Sequence, residues 1–140
     1  VDMAVTVATG GSERETATEM LKRQGKKRIN PNTLGADKGY DTRGFVEELR
    51  KRSITPHVAA NTERRGGSAI DGRTIRHAGY GISQRIRKRV EEIFGWMKTV
   101  GGWRKTRFKG RLRTQMHALF IGAAYNLMRM GKLTMEAVKS

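Results

Sequence analysis

Apolar positions along this chain fall in short blocks, and the spacing within the blocks changes from one to the next. Val1, Met3, Val5 and Val7 alternate with Asp2, Ala4 and Thr6. That is the period of a half-buried strand, and Gly10-Gly11 closes it. Ser12 followed by Glu15 has the spacing of a capping box and predicts a helix over about 13–24, with Ala17, Met20 and Leu21 on one side. Thr33-Leu34-Gly35-Ala36 reads as a second strand, ending at Asp37 with Lys38-Gly39-Tyr40 as its turn. Asp41 or Thr42 can cap a helix over about 43–52 that turns Phe45, Val46 and Leu49 inward. A third strand runs from Ile54 to Ala60, and Pro56 places it at an edge or entry position.

The second half reads differently. Residues 61–82 form a polar, basic and glycine-rich loop around Asn61, Arg64, Arg65, Gly66, Gly67 and Gly72, and a loop of this length in a small domain is commonly functional. Ser83 caps an expected helix over about 84–99, whose Ile86, Val90, Ile93, Phe94 and Met97 fall on one side and are expected to pack on the sheet. On that wheel Trp96 lies opposite the apolar stripe, either in an interface or under a neighbouring loop. Gly101-Gly102 ends this helix. After a basic stretch, Thr114 begins another over about 115–130, where Met116, Leu119, Phe120, Ala123, Ala124, Leu127 and Met128 make so wide an apolar face that burial is expected. The alternation of strands and helices gives an α/β chain with partly parallel pairing. The expected organisation is a strand/helix half over 1–60, the loop 61–82 and a helical part over 83–132.

Composition changes the picture mainly through charge. Lysine and arginine number 29 against 13 acids, a formal net charge of +16. Residues 1–70 hold 13 basic and 9 acidic side chains (+4), whereas residues 71–140 hold 16 and 4 (+12). Such an excess calls for an anionic partner, most simply a nucleic acid, with an anionic membrane surface as the competitor. No apolar run is long enough to span a bilayer. The absence of cysteine excludes disulfides and thiolate metal sites and fits a reducing cytoplasm. The basic stretch is the densest part of the excess. Arg104, Lys105, Arg107, Lys109, Arg111 and Arg113 alternate with Phe108 and follow Trp103, a mixture suited to phosphate contact with some base stacking, although a solvated charged surface has the same composition. His57, His77 and His117 have no metal-ligand spacing and read as structural.

Two acids stand out by position. Asp37 sits at the carboxyl end of a strand, where α/β folds place ligands, but acids there are also ordinary turn residues. Glu91 shares one stripe of the 84–99 helix with Arg87 and Lys98; read from spacing alone, an i,i+4 ion pair with Arg87 is the simpler account. Phosphodiester chemistry with divalent cations needs several carboxylates in a small volume, and a strand-end Asp with a later helix Glu can meet in that way.

Ala36-Asp37-Lys38-Gly39-Tyr40-Asp41 resembles the block around the second catalytic aspartate of insertion-sequence DDE transposases. Arg87, Glu91 and Lys98 are similar to the family's spaced signature of Arg, Glu and Lys. The wording from Arg87 to Lys98, with Ser68–Thr74 and Trp103–Arg107, looks like the insertion-sequence-five branch. The resemblance covers nearly the whole chain. It implies part of an RNase H-like catalytic fold, with about three strands, helices packed on them and a C-terminal helical region. It further implies DNA transposition by strand cleavage and transfer with two Mg²⁺ or Mn²⁺ ions, in which Asp37 and Glu91 are catalytic metal ligands. Arg87, Lys98 and the basic stretch would hold DNA, both the element's ends and its target. Where the family carries tyrosine three residues before the arginine, this chain has Gln84. The family's first acid belongs on an earlier strand, and the chain begins after it. The expectation is therefore an incomplete two-ion site in a chain inactive alone, completed by a separate N-terminal part or working as a homo-oligomer, in a bacterial cytoplasm near the nucleoid. A non-catalytic DNA-binding remnant or a basic RNA-binding protein is the alternative.

Overall fold

A computed structural model describes residues 1–139 and the side chains of residues 1–138. The elements follow in the order α1 (Ser12–Lys26), β1 (Thr33–Ala36), α2 (Arg43–Lys51), β2 (Thr55–Val58), α3 (Gly72–Arg76), α4 (Ala78–Arg87), α5 (Arg89–Thr99) and α6 (Arg111–Lys139), with a 3-10 turn at Lys38–Tyr40. The chain divides into two compact units, one formed by Glu13–Glu91 and the other by Val1–Ser12 with Glu92–Ser140. The mixed α/β class expected from the alternating pattern is what forms, and it is consistent with part of an RNase H-like fold.

In the first unit β1 and β2 pair in parallel, Thr33 opposite Thr55 and Ala36 opposite Val58, with α2 as the crossover. Thr55 N donates to Asn32 O at 2.8 Å and Ala59 N to Ala36 O at 2.9 Å. The inward N–H groups of β2 therefore fall on odd positions. Pro56 occupies an even one, so its missing donor costs the ladder nothing. Thr42 caps α2 by accepting from Phe45 N, which settles the choice between Asp41 and Thr42. Phe45, Val46 and Leu49 then meet Ile54, Val58 and Ile70 in one buried cluster, with Leu21 and Leu34 packed against it.

The opening segment is the first departure. Val1–Val7 is not paired as a strand; among the described residues the sheet has two strands, not three. Within the second unit its backbone is instead held by side-chain amides of α6. Val5 N donates to Gln115 Oε1 at 2.6 Å, Gln115 Nε2 donates to Met3 O at 3.1 Å, and Asn126 Nδ2 donates to Val1 O at 3.0 Å. An amide offers both a donor and an acceptor, so it substitutes for the edge of a neighbouring strand. Gly122 lets the segment come close, since a Cβ there would lie 3.2 Å from Met3 Sδ.

Other boundaries also move. Ser12 does not close a capping box: its hydroxyl donates to Val7 O at 2.7 Å and Thr9 O at 2.9 Å. The loop 61–82 is shorter than expected, because α3 and the first turns of α4 lie inside it. Ser83 is interior to α4, whose N-cap is His77, accepting from Gly79 N. The single helix expected over 84–99 breaks at Lys88, and Glu91 N bonds Lys88 O in a tighter three-residue turn.

Burial of the late helices is the largest difference. Ile86, Val90 and Phe94 are 52%, 50% and 54% exposed rather than packed on the sheet, and only Met97 of that stripe is buried. The stripe is divided between the units, Ile86 and Val90 in the first and Phe94 and Met97 in the second. The helix expected over 115–130 runs from Arg111 to Lys139, and Phe120 and Leu127 are each 70% exposed. Its buried side is narrow: Ala118, Ile121 and Gly122. Ile121 meets Gly101, where a Cβ would also lie 2.8 Å from Met97 O, so only glycine fits this corner.

Candidate nucleic-acid interface and acidic positions

Asp37 leaves β1 in an extended conformation and caps the following 3-10 turn, its Oδ1 accepting from Gly39 N at 2.9 Å. It is exposed, as the turn reading of its position expects. Glu91 is exposed in the first turn of α5. Both belong to the Glu13–Glu91 unit. The i,i+4 ion pair between Arg87 and Glu91 does not form among the described residues, since the helix break at Lys88 falls between them. Arg87 Nε is enclosed with no hydrogen-bond partner.

Divalent cations need converging oxygens, and the donor set gives a direct test of fit. Among the described residues no three or more His, Asp or Glu side chains group as ligands of one ion. The residues present therefore do not make up a two-ion centre.

The basic stretch is ordered by aromatic packing within its own unit. His117 of α6 lies edge-on between Trp103, 5.6 Å away, and Phe108, 5.0 Å away. These two rings fasten the loop to α6. Trp96 is half-buried and packs edge-on against Tyr125 of α6 at 5.4 Å rather than under a loop. Held this way, the loop and the end of α5 enclose a cleft of about 780 Å³ lined by Lys98, Thr99, Gly102, Arg104, Lys105 and Arg107. Four of the expected DNA-contacting residues thus share one concavity with no carboxylate in its wall. Lys109, Arg111 and Arg113 are exposed but lie outside it, and Arg87 belongs to the other unit.

The sequence did not single out the best-satisfied acid in the molecule as a buried group. Asp41 is 1% exposed. Its carboxylate accepts from Asn61 N at 2.7 Å and Ala69 N at 2.9 Å, and its carbonyl accepts from Arg64 Nη1 at 2.7 Å. Burial alone would raise its pKa, but hydrogen bonds from Ser68 and the two amides, with the Arg64 charge, hold it below the usual carboxylate range. Nearby, α4 is tied to β2 by polar contacts. His57 Nδ1 and Ser83 Oγ lie 2.6 Å apart, Tyr80 Oη donates to Val58 O at 3.0 Å, and Gln84 Nε2 donates to His57 O. Burial, and then the charge of His77, lower the pKa of His57. These histidines fasten elements together, as their lack of ligand spacing suggested.

The fold and its clefts define a basic α/β protein that gathers arginines and lysines in concave places. Within that class the chain belongs to the DDE transposase family: the family model described as a transposase DDE domain matches residues 1–127. No curated protein and no solved structure shows significant similarity to it. Among the described residues no helix is long and apolar enough to cross a membrane.

Proposed function

We propose that this chain grips the DNA of an insertion sequence of the insertion-sequence-five branch, and that by itself it neither cleaves nor joins strands. The observation that carries the reading is the cleft lined by Lys98, Arg104, Lys105 and Arg107. Cations that converge with no acid among them repel one another, and a polyphosphate backbone is the ligand that relieves the repulsion. In the resemblance to the family, Asp37 and Glu91 are the second and third metal-binding acids, and Arg87 and Lys98 hold backbone near the scissile phosphate. Two carboxylates fall short of the set that Mg²⁺-dependent phosphodiester chemistry draws on. On this reading Asp37 and Glu91 supply part of the ion-binding set, and strand transfer draws on at least one further acid.

Fluorescence anisotropy with a labelled 20-base-pair duplex tests the binding. Four phosphate contacts in this cleft contribute about −3.6 to the slope of log affinity against log salt. The double variant Arg104→Gln/Arg107→Gln should flatten the slope by about two and weaken binding at every sequence tested. A salt-independent affinity, or a preference for single-stranded RNA over the duplex, would refute the reading.

A further inference from the structure

The Glu13–Glu91 unit has a concavity of its own, of about 260 Å³, lined by Arg43, Arg64, Arg65, Gly66, Gly67 and Ala69. Its construction is specific. Arg43 opens α2 directly after the Thr42 cap, so one wall rests on a helix anchored in the core by Phe45 and Val46. The other wall is the loop that follows β2, and both ends of that loop are pinned by one buried carboxylate. Asp41 accepts from Asn61 N at the start of the loop and from Ala69 N at its end. Arg64 is fixed in turn by its bond to Asp41 O. Between these ties the chain turns through Gly66 and Gly67, at φ of +94° and +74°. A side chain there would be strained, and the bare backbone leaves open space above it.

Arg64 has the Asp41 carboxylate nearby, but the other two charges in this concavity have no such neighbour among the described residues. Among the described residues neither Arg43 nor Arg65 meets a carboxylate, and the nearby Glu63 pairs with Lys38 at 3.6 Å instead. A buried acid that orders a loop bearing unpaired guanidiniums over an open glycine turn is the arrangement of a preformed oxyanion receptor. We propose that Arg43, Arg64 and Arg65 form a phosphate-binding pocket that takes a phosphodiester group of nucleic acid, independently of the Lys98 cleft. Arg43 and Arg65 supply fork-shaped donors, and Arg64, held by its bond to Asp41 O, adds a fixed guanidinium to the wall. Asp41 acts through the loop and is a positioning residue. The choice of nucleic acid as the source of the phosphate rests on the DNA-binding reading above; the pocket's chemistry does not.

The test compares Arg43→Gln/Arg65→Gln with Lys26→Gln/Lys27→Gln, which removes the same charge elsewhere on the same unit. Neither pair contributes to the buried cluster, so both variants should keep the native circular dichroism spectrum and melting behaviour. With the labelled duplex, the pocket variant should lose about two from the salt slope, and the control should change it by less than one. Titration of inorganic phosphate followed by NMR of the arginine Nε–Hε signals should perturb Arg43 and Arg65 in the native protein. In Asp41→Asn, checked as folded by the same spectra, their response should weaken although both arginines remain. Equal slope changes in the pocket variant and the control would overturn the proposal, as would phosphate shifts at Arg43 and Arg65 with an unchanged duplex slope. Loss of all duplex binding in the native protein, with phosphate shifts intact, would instead count against the DNA-binding reading.

Discussion

Asp41 shows how one side chain can organise a region that its sequence neighbours do not define. Its partners at Asn61 and Ala69 lie 20 and 28 positions away. Asn has one acceptor oxygen in place of two, so Asp41→Asn leaves a buried backbone amide facing an NH₂ group. The expected loss is about 2 kcal/mol in a urea titration. The linkage has a definite sign. The folded pKa of Asp41 is depressed, so its contribution is complete above the unfolded value of about 3.9 and fades as pH falls through the lower folded value. His57 gives a second pH window by the same reasoning. Its folded pKa is also lowered, so the neutral ring is the form the fold prefers. Stability should be full above the unfolded value of about 6.5 and decline as pH drops below it. Melting temperatures between pH 7.5 and 5 check this, and His57→Gln should flatten the decline.

Among the elements, α2 and α6 contrast in how much their patterns reveal. The inward set Phe45, Val46 and Leu49 was legible because a short amphipathic helix beside two strands has one face to bury and one surface to bury it on. In α6 the apolar residues surround more of the circumference than the second unit can cover, and periodicity cannot say which side wins. Two glycines decide it, Gly101 by admitting Ile121 and Gly122 by admitting Met3. Adjacent substitutions test this orientation. Ile121→Ala should cost about 2–4 kcal/mol, while Phe120→Ala, at 70% exposure, should stay within about 0.5 kcal/mol. Comparable losses would mean that Phe120 is buried as well, against this orientation. The break at Lys88 was not legible either. Lysine has good helix propensity, and the sequence there carries neither proline nor glycine to announce an interruption.

At the scale of the whole molecule, the proposed function assigns the formal charge of +16 to drawing DNA in at low salt and the Lys98 cleft to placing its backbone. Binding without cleavage is the expected behaviour. A supercoiled plasmid incubated with the chain and Mg²⁺ or Mn²⁺ should remain supercoiled at protein concentrations that saturate duplex binding. Nicking that disappears in Asp37→Ala would overturn this expectation and show that the acids present suffice.

The sequence by itself determined the family, the α/β class, the α2 core face and the excess of positive charge, since each is written in local spacing or in composition. It also marked Lys98, Arg104, Lys105 and Arg107, although not that they would share one cleft. Only the tertiary structure decided which apolar faces are covered, where the long helix breaks, and that the opening segment lies on α6 rather than in the sheet. It alone revealed that Asp41 holds the Arg64–Arg65 loop. Those outcomes depend on which distant groups come within a few ångströms of one another, and hydrogen bonds and close packing discriminate at that range while sequence patterns do not.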